Sequence, residues 1–193
     1  DEKFRDRFPL DKIGLNIVYT DDLSLYRTRK VRILNGSHTA SVLSAFLSGY
    51  DTVKEMMDDE KYALFIKKAL NEEIMPTISL PENELQQYAD AVLERFSNPY
   101  IKHRLLDISL NSVSKFRARN LGVIVDYYQK NGYAPTCLCY SLASLIRFYK
   151  GEIIDGKYVG TRGTQQYEIR DNADVIKFFA AAYQTDDAVA EIL

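Results

Sequence analysis

The chain has 193 residues, 46% of them hydrophobic and 27% charged, with 25 Lys and Arg against 27 Asp and Glu for a formal net charge of -2. Its 14 Tyr and 9 Phe, with abundant Leu and Ile, supply enough apolar surface to offset the entropy of ordering, which excludes disorder and fits one globular domain. The slight excess of acid argues against a nucleic-acid partner, which requires a net basic surface.

The first residue is Asp1, the methionines are Met56, Met57 and Met75, and no signal-like apolar segment opens the chain. The expectation is a piece of something longer. After a charged opening, Gly14-Leu15-Asn16-Ile17-Val18-Tyr19 reads as a strand, β-branched and aromatic between Gly14 and Asp21-Asp22. From His38 onward the spacing is helical. Tyr62, Phe65, Ile66, Ala69, Leu70 and Ile74 repeat at three and four residues until Pro76 stops them. Leu85, Tyr88, Val92, Leu93 and Phe96 give a second stripe, opened by Pro81 and closed by Ser97-Asn98-Pro99. Ile101, Leu105, Ile108 and Leu110 predict a third helix, and Val123 to Tyr128 a shorter one ended by Asn131-Gly132. Pro135 opens the next, whose face is Leu138, Leu142, Leu145, Ile146 and Tyr149. Gly151, Gly156, Gly160 and Gly163 then predict a β-like or irregular excursion over 151–172, before a last helix pair at 173–192. Several amphipathic helices on short loops imply a mainly α, multi-helical bundle forming a single domain over 1–193.

Cys137 and Cys139 stand about 200° apart on their helix, too far to share a metal and poorly placed for a disulfide. They read as small buried side chains in a reducing compartment. Arg147 interrupts the most apolar run, Cys137 to Tyr149, so no membrane span is expected and a soluble cytoplasmic protein is. His38 and His103, the two histidines, have no second ligand at helical spacing, and neither a metal site nor a Gly-x-Ser-x-Gly elbow is found.

Chemistry concentrates at Lys30-Val-Arg-Ile-Leu-Asn-Gly-Ser-His38. Alternation runs to Leu34, Asn35-Gly36 predicts a turn, and Ser37-His38 would start a helix, delivering an amine, an amide and an imidazole around one corner. In a first helical turn the dipole would favour neutral His38. Partial burial among Arg27, Arg29 and Arg32 would ease deprotonation of Lys30, the natural proton carrier. A plain turn, an N-cap serine and a solvated basic face account for the same residues. A second basic cluster, Lys115, Arg117 and Arg119, suits a small anion such as a sugar acid better than a polyanion, or is simply the polar face of a helix.

Lys30-x-x-x-x-Asn35-x-x-His38, with Gly49-Tyr-Asp-Thr-Val53, Glu72-Glu-Ile-Met-Pro76, Arg95-Phe-Ser-Asn-Pro-Tyr-Ile-Lys-His-Arg104, Ile108-Ser-Leu-Asn111 and Lys115-Phe-Arg-Ala-Arg119, resembles the C-terminal domain of the mannitol dehydrogenase family, the long-chain polyol dehydrogenases. The likeness covers most of residues 15 to 151. It implies an NAD-dependent oxidoreductase that interconverts D-tagaturonate and D-altronate in galacturonate breakdown. Reduction of fructuronate to mannonate and other polyol oxidations remain as sister activities, and a helical interaction domain as the non-enzymatic alternative. The resemblance assigns Lys30 as general acid/base, Asn35 as a hydrogen-bond donor to the carbonyl oxygen, and His38 as the group that orients the carbonyl and its neighbouring hydroxyl. Where polyol enzymes of the family show an Asp-Gly-Ser type stretch, this chain has Asn111-Ser112-Val113-Ser114, a departure that favours an acid substrate with Lys115 and Arg117 on its carboxylate. Family members place a Rossmann-type nucleotide domain first, and no Gly-x-Gly-x-x-Gly occurs here. The chain is therefore expected to be the substrate-side domain, partnered by its own N-terminal nucleotide-binding domain that holds most of the NAD, and inactive alone.

Overall fold

The computed structural model describes residues 2–15, 17–185 and 187–192. α1 (Glu2–Arg7) and a 3-10 turn (Leu10–Ile13) lead to α2 (Ser24–Arg29), which runs unbroken through a π-helical stretch, Lys30–Gly36, into α3 (Ser37–Leu47). α4 (Val53–Asp58) opens on a capping box: the Thr52 hydroxyl accepts from the Glu55 N–H, and the Glu55 carboxylate accepts from the Thr52 N–H. α5 (Glu60–Lys68) is capped by Asp59, winds as a π-helix over Ala69–Ile74 and ends in a 3-10 turn containing Pro76. Pro81 precedes α6 (Glu82–Phe96), followed by the single turn α7 (Leu105–Ile108). α8 (Ser112–Phe116) continues through a third π stretch, Arg117–Leu121, into α9 (Gly122–Asn131), which stops where Gly132 takes φ 79, a left-handed conformation that glycine adopts freely. α10 (Thr136–Phe148) completes the helical body.

β1 (Gly151–Ile154), β2 (Lys157–Arg162) and β3 (Gln165–Glu168) then form an antiparallel meander, and α11 (Ala173–Ala182) and α12 (Ala188–Ile192) close the chain. Gly160 lies opposite Tyr167 in the ladder, and a Cβ there would come 2.5 Å from the Tyr167 ring, so the tyrosine folds across a position that only glycine leaves open. That ring packs against Phe46 at 5.0 Å and Phe148 at 4.8 Å, and its hydroxyl donates to the Phe148 carbonyl. The sheet is thereby joined to the ends of α3 and α10.

α3 is the centre of the core. Every residue from Ser37 to Phe46 is buried except His38. Its serines dispose of their hydroxyls along the helix, Ser37 onto the Ile33 carbonyl, Ser41 onto that of Ser37 and Ser44 onto that of Ser41, which lets small side chains lie against neighbours without orphaned polar groups. α10 packs along it, and Ser141 donates to the Ala40 carbonyl at 2.6 Å. The start of α10 is held from another element: buried Glu73, in the π stretch after α5, accepts from the Cys137 N–H at 2.7 Å and the Leu138 N–H at 2.9 Å. One carboxylate satisfies two of the donors that a helix leaves free at its start and meets the positive end of its dipole. Burial and this carboxylate push the Cys137 thiol up to about 12, as befits an inert core cysteine.

Four expectations change. Residues 14–19 form no strand where they are described: Gly14 ends the 3-10 turn in a left-handed conformation, Leu15, Ile17 and Val18 are exposed, and Asn16 lies outside the described residues. Asn35-Gly36 is not a turn, because Lys30–Gly36 is continuous helix and Gly36 is itself buried against the neighbouring π stretch. The third helix shrinks to Leu105–Ile108, with Ile101 exposed in an irregular segment. The helix expected from Val123 begins at Ser112 instead, its polar first half masking the period. The β excursion and the closing helix pair fall where expected.

Replacing Glu73 with Ala strands two buried N–H groups and should cost roughly 2–5 kcal/mol in urea unfolding. Glu73→Gln, which keeps an acceptor, should recover part of it.

Candidate functional site

Helical winding decides which polar groups of the Lys30–His38 stretch can act together. At 100° per residue an α-helix would set Lys30 and Asn35 about 140° apart, whereas i→i+5 winding places residues five apart nearly over one another. Lys30 and Asn35 accordingly line one cleft of about 490 Å³, with Arg27, Arg32 and Arg119. Asn35 also lines a second cleft of about 270 Å³ with His38, Arg95, Phe96 and His103. Asn35 thus joins the two, and all three expected reacting residues border one continuous strip of helix surface. No carboxylate lines either cleft.

Neither Lys30 nor Asn35 spends its side chain on a hydrogen bond within the described chain. Lys30 is exposed, so the partial burial expected to ease its deprotonation is absent. Of the arginines expected around it, Arg27 and Arg32 line the same cleft, and Arg32 and Arg29 are also engaged in structural contacts. Arg32 donates to the Thr77 carbonyl and hydroxyl and pairs with Asp126 at 2.5 Å. Arg29 stacks over Tyr88 at 4.6 Å and faces Glu84 at 3.8 Å.

His38 sits in the middle of a continuous helix rather than in a first turn, so the dipole argument for its neutrality does not apply. Burial does the same work by another route. The imidazole stacks on Phe96 at 4.8 Å, faces His103 at 5.3 Å, and its Nε2 is out of solvent without a hydrogen-bond partner, although an edge of the residue reaches the cleft. Desolvation first, then the charges of His103, Arg119 and Lys115, push it down to about 4. A neutral imidazole with a free, dry nitrogen is ready to hydrogen-bond a hydroxyl or carbonyl without competing water.

Of the second basic cluster the structure brings together a different pair from the one expected. Lys115 and Arg119 are one turn apart on a shared face and both act on His38. Lys115 is half-buried and donates to the Ile108 carbonyl at 2.9 Å; burial and Arg119 push its ammonium down. Arg119, which burial also pushes down, donates to Thr39 at 2.9 Å. Arg117 is exposed and lines neither cleft, bordering instead a largely apolar cavity with Phe116, Leu121, Leu142 and Phe179. The four-residue spacing of 115 and 119 was the available signal for this choice. Nothing in the sequence signalled that His103 would meet His38. Asn120, fully buried, donates to the Gly36 carbonyl at 3.1 Å and pins the two π stretches together. Among the described residues no group of three or more His, Cys, Asp or Glu could hold a metal ion.

Lys30, Asn35 and His38 thus border a basic double cleft, lined by no carboxylate, on a helical body. The chain belongs to the mannitol dehydrogenase family: the family's model of the mannitol dehydrogenase C-terminal domain matches residues 22–193. Among similar proteins, altronate oxidoreductase of Halalkalibacterium halodurans is 45% identical over 184 residues, covering 95% of this chain and 36% of that protein. Altronate oxidoreductase of Pectobacterium carotovorum is 50% identical over 143 residues, covering 74% and 29%. The fold is shared with Pseudomonas fluorescens mannitol 2-dehydrogenase, solved as a ternary complex with NAD and D-mannitol, at a TM-score of 0.73 and 25% identity over 93% of this chain and 36% of that one. The chain thus spans about a third of the length of the relatives it matches. No helix among the described residues is long and apolar enough to cross a membrane.

The folded value of His38 lies below the 6.5 of a free imidazole, so the unfolded chain binds more protons between the two. Stability is whole above about pH 6.5 and is lost as pH falls toward 4, by up to about 3 kcal/mol. His38→Gln should flatten that part of the profile when urea unfolding at pH 7 and pH 4.5 is compared.

Proposed function

We infer that this chain is the substrate-side domain of an NAD-dependent oxidoreductase interconverting D-tagaturonate and D-altronate, in a cytoplasmic uronate-degrading pathway. The observation that carries the reading is the dry, unpartnered Nε2 of His38 beside the unspent side chains of Asn35 and Lys30. The named activity of the 45% identical relative supports it.

In the reducing direction the Lys30 ammonium gives a proton to the carbonyl oxygen of the substrate, forming the new hydroxyl. In the oxidising direction the neutral amine takes that proton back. The Asn35 amide donates to the same oxygen as negative charge develops on it. Neutral His38 hydrogen-bonds the carbonyl and the adjacent hydroxyl, fixing the face presented for reaction. Exposure of Lys30 on a cleft wall suits this role, because the amine must exchange its proton with solvent after each turnover.

The nicotinamide group supplies a hydride to the carbonyl carbon when bound. The described residues do not fit its dinucleotide: the left-handed glycines, Gly14, Gly49, Gly132, Gly156 and Gly163, follow helices or sit in hairpin turns, and none forms the glycine-rich entry to a helix that cradles a pyrophosphate. The cofactor is therefore assigned to a nucleotide-binding domain outside this chain, docked beside Lys30.

In the full-length enzyme Lys30→Ala should lower kcat for NADH-dependent tagaturonate reduction about 10²–10⁴-fold with unchanged thermal unfolding. Turnover close to the parent's would remove Lys30 from proton transfer. Arg117→Ala, at a position that lines neither cleft, should leave the KM for tagaturonate within about twofold; a larger rise would return Arg117 to the substrate.

A further inference from the structure

The smaller cleft holds more than the reacting end of a substrate needs. Beyond His38 it is walled by His103, Arg95 and Asn98. Arg95, in the last turn of α6, has no acidic partner among the described residues. The Asn98 carbonyl oxygen accepts from the Tyr100 N–H, which leaves its amide N–H groups unspent. The His103 side chain makes no hydrogen bond, and the segment is held by its backbone: the His103 carbonyl accepts from the Val53 N–H at 3.0 Å, the nearby Leu105 N–H donates to the Asp51 carbonyl at 2.9 Å, and Thr52 and Arg104 form an antiparallel bridge. The segment is thus fixed against the start of α4 while the imidazole stays free to meet a ligand. Three donors thus line a cleft that contains no carboxylate, in a chain whose net charge is -2. Such a concentration of unpaired donors is a site for an anion.

We propose that His103 and Arg95, with the Asn98 amide beside them, bind the carboxylate of the sugar acid and set the preference for a uronate over the neutral ketose. The inference rests on the reading of Lys30, Asn35 and His38 as the reacting end. In a six-carbon 2-ketose whose C6 is oxidised to a carboxylate, four carbon–carbon bonds, about 5 Å when extended, separate the keto carbon from the carboxylate carbon. His38 and His103 are separated by 5.3 Å between ring centres, so one substrate spans from the first imidazole to the second. Lys115, whose ammonium is already committed to the Ile108 carbonyl, supports the field around His38 instead of holding the carboxylate.

The test is steady-state kinetics of the full-length, NADH-supplied enzyme with D-tagaturonate and with D-tagatose, the same ketose carrying CH2OH in place of the carboxylate. His103→Ala and Arg95→Ala should each raise the KM for tagaturonate about 10- to 100-fold, the loss of one hydrogen bond to a charged group, with kcat within about threefold and the KM for tagatose unmoved. Arg95→Lys should restore part of the loss. Equal shifts for both substrates, or no shift for tagaturonate, would overturn the assignment, as would a tagaturonate-selective rise in Lys115→Met with none in the His103 and Arg95 variants. A parent enzyme that turns over neither compound would defeat the functional reading itself and this assignment with it.

Discussion

The structure depends on burying α3 on all sides. A helix surrounded by other elements cannot spread large side chains in every direction, and this one meets the constraint with serine and alanine on the faces nearest α10 and with hydroxyls bonded back to its own carbonyls. Because its neighbours from Ser37 to Phe46 are all buried, His38, the one position of that run that reaches solvent, acquires a fixed orientation without any hydrogen bond of its own. Rigidity here comes from exclusion by neighbours and not from a polar network, which leaves the nitrogen unspent for a ligand.

The π stretches follow from the same constraint. Winding by five residues over Lys30–Gly36 turns Asn35 onto the side of Lys30, and a matching stretch at Arg117–Leu121 brings Asn120 against the Gly36 carbonyl. A helix departs from α-geometry at a cost in backbone bonding, and such departures recur where side chains must be re-aimed. Two of the three among the described residues meet at the candidate site. Charge follows geometry: burial first, then His103 and the cations of Arg119 in the second stretch and Lys115 in α8, keep His38 neutral.

Much of this was legible in the residues. Pro76, Pro81, Pro135 and Gly132 mark helix ends because a missing N–H or a left-handed conformation leaves little choice, and the glycine-spaced tail reads correctly as β structure. The trio Lys30, Asn35 and His38 was legible as a motif. Its setting was not. Asn35-Gly36 carries a strong local turn signal, and tertiary burial overrode it, since a buried Gly36 with its carbonyl taken by Asn120 gains more as helix than as turn. Arg117 and Arg119 are chemically identical in sequence, and only the rotation of α8 and its π extension separates the one in the cleft from the one bordering an apolar cavity. His103 meets His38 across 65 positions of chain, a pairing that no local period encodes.

Arg162, at the end of β2, donates to the carbonyls of Phe46 and Tyr50, pairs with Asp51 at 2.8 Å and lies over the Phe46 ring at 4.2 Å. A cation at the C-terminal end of α3 neutralises the negative pole of that helix while Asn120 holds the opposite end at Gly36. The meander is therefore an abutment, and α3 is a beam fixed at both ends. The segment around residues 95–104 is held separately, against the start of α4, and supplies the opposite wall of the smaller cleft, so an exposed position such as Arg95 can vary over evolutionary time while the beam keeps its place.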